Sequence, residues 1–325
     1  MYTFQQYLSL DKCPKSLATQ FWYTSIKEYL NAKSAYDVKK QVLSAHYETS
    51  VSSELMNHKS DFFKQKEKGQ PVIREQIVDN IDMCLAANKP FKDILCHPFW
   101  QLINCKTPSY QTVTAILANL PYHYANLIFK EDTYGNGILK EKLHKKTQDK
   151  LFYELNLNGL TYWIAASHYL PKTALKMNSQ ALQLMAVQYL IKLSVISPFN
   201  AITEQLTEYL TFSPANQKII ESELYPNMYL NLITQKGLHQ FTLPNSVTKQ
   251  PSNSIRNTIF IYQQLTKRAI KLNLILDNMA DKTLFLNFIC FTEIPLLIHF
   301  LFHHQTPPKN LDELKKRISE ALWGI

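Results

Sequence analysis

The sequence predicts a mainly α-helical protein, an irregular multi-helix bundle with a buried central helix and little or no β-structure. Three observations lead there. Apolar residues return every three or four positions along most of the chain, the spacing that lines one face of a helix. The 15 prolines punctuate these apolar stretches, as expected of residues that start or end helices. Glycine falls to 6 residues in 325, roughly a quarter of the usual ~7%. Phosphate-cradling loops, dinucleotide-binding turns and tight β-turns draw on glycine, so doubly wound nucleotide folds are disfavoured.

The elements follow in chain order. A helix is expected over 14–30, with Leu17, Phe21, Ile26 and Leu30 on its apolar side, and another over 37–46 through Val38, Val42 and Leu43. Residues 53–68 are more polar. Residues 71–87 read as the cleanest amphipathic helix of the first half, with a ladder of Ile73, Ile77 and Ile81 joined by Cys84 and Leu85. Pro90 ends it, because the residue before proline disfavours the α region. The aromatic stretch 91–105 is broken by Pro98 and is expected as short turns. Thr107-Pro108 has the order of a cap followed by a first-turn proline, opening a helix through Val113, Ile116, Leu117 and Leu120. Pro121 ends that helix or starts the next, and 133–137 is the clearest turn.

Apolar periodicity resumes over 151–170. The densest core candidate is 171–196, where Ala181, Leu182, Leu184, Met185, Val187, Leu190, Ile191 and Val195 cover more than one face; it is the expected central helix. Asn200 is placed as the cap of a helix over 201–212, and Ser213-Pro214 as the start of another. Residues 238–243 alternate as a short strand would, 244–254 read as a loop, and 255–279 as a helix. Past Pro307-Pro308, Asn310 and Glu313 have the offset of a capping box, ahead of a stripe of Leu311, Leu314, Ile318 and Leu322. The expectation is one compact domain over 1–325, with 197–200 as the place where two lobes would meet.

A chain of this length buries about 75% of its extended surface and needs neither disulfide nor metal for a core. The formal charge is +9, carried almost entirely by lysine, with arginine only at Arg74, Arg256, Arg268 and Arg317. A nucleic-acid reader draws more on arginine's planar fork, so nucleic acid is disfavoured as a partner. Cys13, Cys84, Cys96, Cys105 and Cys290 sit mostly among apolar residues, as free thiols in a reducing compartment would. Residues 1–11 lack the pattern of a cleavable signal. The most membrane-like window, 284–302, is interrupted by Asn287, Glu293, Pro295 and His299, so no transmembrane helix is expected.

Several constellations bear on chemistry. Cys84, Cys96, His97 and Cys105 are residue types that ligate zinc, but they lack a close cysteine pair; no metal and no cofactor are expected. His97-Pro98-Phe99 resembles the opening of the Fic motif, whose histidine is a base in nucleotidyl transfer. The glycine-bearing phosphate turn that follows in that family is replaced by Trp100-Gln101-Leu102-Ile103-Asn104, so no family assignment is made. His46, His123, His168 and His239 are candidate bases, and Glu48, Glu54, Asp82 and Glu154 candidate acids. Glu54 and His58 are four apart, the spacing expected of neighbours on one helix face, and His299, His303 and His304 form a local cluster in sequence. No G-x-S-x-G elbow, HExxH pair or P-loop is present.

Tyr122, Tyr124, Tyr153, Tyr162 and Trp163 are the candidate interaction surface, since such side chains make rigid amphipathic contacts as readily as they fill cores. The functional expectation is a protein-interaction or adaptor protein using a helical surface or groove, with a protein as partner. The alternatives are an enzyme with a dispersed active site of unknown reaction class, or a protein in peripheral contact with a membrane. Whether it is an enzyme is left open. A cytoplasmic location, or delivery into a reducing host cytosol as a bacterial effector would need, is the matching expectation.

Overall fold

A computed structural model describes residues 2–49, 62–85, 90–135, 137–170, 179–210, 254–288 and 308–323. The fold is mainly helical and irregular. Among the described residues the β-structure is one two-stranded antiparallel hairpin. The chain forms two compact units, one of Met1–Leu151, Asn156–Ser179 and Ser197–Leu210, the other of Phe152–Leu155, Gln180–Ile196 and Thr211–Ile325.

In the first unit α1 (Phe4–Leu8) opens with a capping box, Thr3 and Gln6 each satisfying the other's backbone N–H. α2 (Lys12–Tyr29) is the hub. Leu17, Ala18, Trp22 and Ile26 are fully buried along it, and it packs against several later elements. α3 (Ala35–Thr49) follows, then α4 (Phe62–Glu67), which lies on α2. The turn after α4 is fixed by Gly69, whose φ of +77° suits glycine. The buried Lys66 ammonium donates to the carbonyls of Gln70 (2.9 Å) and Pro71 (2.7 Å) and sits 5.0 Å from the Phe62 ring.

α5 (Glu75–Leu85) buries Ile77, Val78, Ile81, Cys84 and Leu85, as the ladder requires. Ile73 does not join it. The helix starts two residues later, and Ile73 is 74% exposed on non-helical backbone. Val72 N–H donates to the Tyr7 hydroxyl at 3.0 Å, which holds this stretch against α1 and out of the helix. α6 (Lys92–Leu95) is clasped to α5 by Lys92, 2.6 Å from Glu75 and 2.8 Å from Asp79. Asp82 accepts the N–H groups of Phe91 and Lys92.

Pro98 starts a helix where a break was expected. It is the first residue of α7 (Pro98–Asn104), where its missing N–H costs nothing. α8 (Tyr110–Ala118) is capped by Ser109, whose hydroxyl accepts Thr112 N–H at 3.1 Å, and not by Thr107. α9 (Tyr122–Ile128) runs directly into β1 (Phe129–Glu131), which pairs with β2 (Gly137–Leu139) in the register Phe129↔Leu139. α10 (Lys145–Tyr153) and α11 (Leu157–Ile164) follow, α11 capped by Asn156 through Gly159 N–H at 3.0 Å. Asn200 does not cap the next helix. A short 3-10 turn, Phe199–Ala201, occupies that position and α13 (Thr203–Tyr209) begins beyond it. Phe199 meets Phe21 edge-on, with ring centroids 4.7 Å apart.

In the second unit α12 (Ser179–Leu193) is the buried central helix, covered on nearly every side from Ala186 onward; Ala181 is an exposed exception. Tyr189 donates to the Glu154 carbonyl at 2.6 Å, and the Lys192 ammonium lies 4.7 Å from the Phe152 ring. α14 (Ser254–Lys271) buries Tyr262, Leu265 and Ala269 and packs with α15 (Met279–Phe288). α16 (Leu311–Trp323) has Asn310 accepting Glu313 N–H at 2.8 Å. The Glu313 carboxylate turns back to Lys309 N–H at 2.7 Å, one residue before the usual capping-box partner. Leu314 and Ile318 are its buried stripe.

The strand at 238–243, the loop at 244–253, the helix start at 213–214, Glu54, His58, His239, Cys290, Glu293 and the 299–304 histidines lie outside the described residues, as do the side chains of His46 and Glu48. Among the described residues no helix is long and apolar enough to cross a membrane.

Candidate functional site

His97 is placed by the start of α7. Its extended backbone sets it as N-cap, and its Nδ1 accepts Phe99 N–H at 3.1 Å. With Nδ1 accepting, the proton sits on Nε2, which donates to Asn158 Oδ1 at 2.9 Å. Burial pulls the imidazole pKa down to about 4, the bond to Asn158 opposing it. The ring is neutral and both nitrogens are occupied, so it has no lone pair for a metal and no free acceptor for a substrate proton. Residues 98–104 stay helical where a Fic-like phosphate turn would lie. Cys84 and Cys96 are buried, and burial pushes the Cys96 thiol up to about 11. Among the described residues no three or more His, Cys, Asp or Glu side chains are grouped to hold a metal ion.

A second concentration of polar chemistry lies where α11 ends. The helix widens into a π-helical turn, Ala165–Tyr169, closed by Leu170 N–H to the Ala165 carbonyl at 2.9 Å. Such widened turns are frequent at functional sites. Ser167 Oγ and His168 Nδ1 are 2.6 Å apart. Burial pulls His168 down to about 4, against a backbone hydrogen bond at Ile164. Tyr169 is pushed up to about 12 by burial, then by Tyr209 and Cys105. Tyr209 is raised by burial, then by Cys13, Asp11 and Cys105. Tyr2 is raised by burial and by Cys105. Burial also raises the thiols of Cys13 and Cys105. At neutral pH this cluster holds uncharged hydroxyls and thiols. It can donate hydrogen bonds, but it offers neither a thiolate nor a charged base. No sequence pattern marks this cluster, because Tyr169 and Tyr209 come from separate elements.

The five aromatic candidates divide. Tyr124 is buried, its hydroxyl accepting from Asn156. Tyr162 and Trp163 are buried with their rings edge-to-face at 5.1 Å, and Trp163 Nε1 donates to the Leu151 carbonyl at 3.2 Å. Tyr122 is 81% exposed, in the first unit, and Tyr153 is 46% exposed, in the second.

Tyr122 opens a segment that is largely solvent-facing from Pro121 to Lys150. Tyr124, Ile128, Leu139 and Leu143 are its buried anchors. Lys140 ties the hairpin back onto α9, its ammonium donating to the carbonyls of Asn126 (2.9 Å) and Leu127 (3.0 Å) and its N–H to that of Ile128 (2.8 Å). Tyr134, 88% exposed in the hairpin turn, and Ile138, exposed on β2, are further exposed large side chains of this segment. Tyr134 was not singled out from sequence because turn tyrosines carry no periodic signal. No protein-family model, no curated protein and no solved structure matches the chain.

Proposed function

We propose that the chain is a protein-interaction or adaptor protein and that the helix–hairpin segment 121–150 is its docking surface. The observation that carries this reading is the exposure of Tyr122 and Tyr134 on a segment held down by a few apolar anchors. Tyrosine offers large contact area at small entropic cost and is enriched where binding energy concentrates. Lys130, Lys142, Lys145 and Lys146 surround these side chains in sequence and supply a polar rim. Burial holds His97 and His168 below the usual imidazole range, and among the described residues no group of His, Cys, Asp or Glu is placed to hold a metal ion; both are compatible with binding and name no reaction. Cys13, Cys84, Cys96 and Cys105 are not joined in disulfides, which fits a reducing compartment as the place of action.

The test replaces Tyr122 or Tyr134, one at a time, with a photo-crosslinking phenylalanine analogue in the full chain within the producing cell. Tyr36, 73% exposed on α3, is the control position. A discrete adduct with the same protein from positions 122 and 134, absent from 36, is the expected outcome. No adduct, or adducts of equal yield from position 36, would overturn the reading.

A further inference from the structure

We draw no further inference here: the strongest candidate, the cluster of Tyr2, Cys13, Cys105, Tyr169 and Tyr209 beside the π-helical turn of the first unit, rests on shifts in the proton affinity of its own phenols and thiols, with neither thiol registering the other.

Discussion

His97 shows how a residue that reads as chemistry becomes architecture. Its imidazole keeps the amide of Phe99 from going unpaired at the start of α7 and reaches Asn158 of α11 at 2.9 Å. Neutrality is required, since a proton on Nδ1 would remove the acceptor that Phe99 N–H needs. The folded pKa of about 4 lies below the ordinary 6.5, so the unfolded chain binds the extra proton first as pH falls. Stability is therefore full above about pH 6.5, falls through the window down to about 4, and levels below it. His168, with the same downward shift, acts in the same window. Each contributes a loss of about 2 kcal/mol between pH 7 and pH 5. His97→Asn keeps a side-chain acceptor at the cap and cannot take up the proton. Urea unfolding of this variant is expected to show about half the wild-type loss between those pH values; an unchanged loss would show that His97 is not the titrating group. The sequence marked His97 through its neighbours Pro98 and Phe99. It could not show that both ring nitrogens are spoken for, because Asn158 lies 61 positions away.

Helix boundaries show where local signals compete. Ile77 and Ile81 behave as their spacing demands, while Ile73 is lost from the ladder because Tyr7 takes the Val72 amide. Ser109 displaces Thr107 as cap because its hydroxyl reaches the Thr112 amide. These outcomes depend on which partner lies nearest in space, which periodicity does not encode. The turn between α4 and α5 makes the same point at Gly69. A Cβ there would lie 2.2 Å from Ser16 Oγ, on top of the left-handed strain at φ +77°. Gly69→Ala is expected to destabilise by about 1–3 kcal/mol. Adding Ser16→Ala removes the closest clash and should recover part of the loss, leaving about 1 kcal/mol of backbone cost and the 3.0 Å approach to Gln20 Cγ; equal losses in the single and double variants would refute the contact. α10 carries the opposite kind of signal. Its first turn holds Lys145 and Lys146 and no acid, against the helix dipole, and Lys146 stands four residues from Lys150. Lys146→Glu reverses both effects and should raise stability by about 0.5–1 kcal/mol, visible as a higher Tm. A lower Tm would mean that this lysine makes a contact worth more than the dipole.

At the scale of the molecule, helical character and the central helix were legible because both are written in local spacing. The run from Ala186 to Ile196 is apolar enough to predict burial on nearly every side, and it is buried so. The hairpin at 129–139 was legible only as a turn, since its strands are three residues each and too short for alternation to register. The candidate surface was half legible: tyrosines marked it, yet whether a tyrosine faces inward, as Tyr124 does, or outward, as Tyr122 does, depends on the packing of α9. The assembly of the first unit was not legible at all, because it is discontinuous in sequence. Ser197–Leu210 returns to it after the chain has built part of the second unit. Phe199 closes that return by packing edge-on against Phe21 of α2, whose ring also meets Trp100 at 6.0 Å. Removing the Phe199 ring takes a buried aromatic away from the hub and leaves a cavity beside Phe21, a change that costs about 3–5 kcal/mol. Because the missing ring lies on a late segment and the cavity opens on an early one, Phe199→Ala should raise amide hydrogen exchange in α2 and α7 as well as around residue 199. Increased exchange confined to 197–210 would show that the returning segment is merely laid on the unit and does not complete its core.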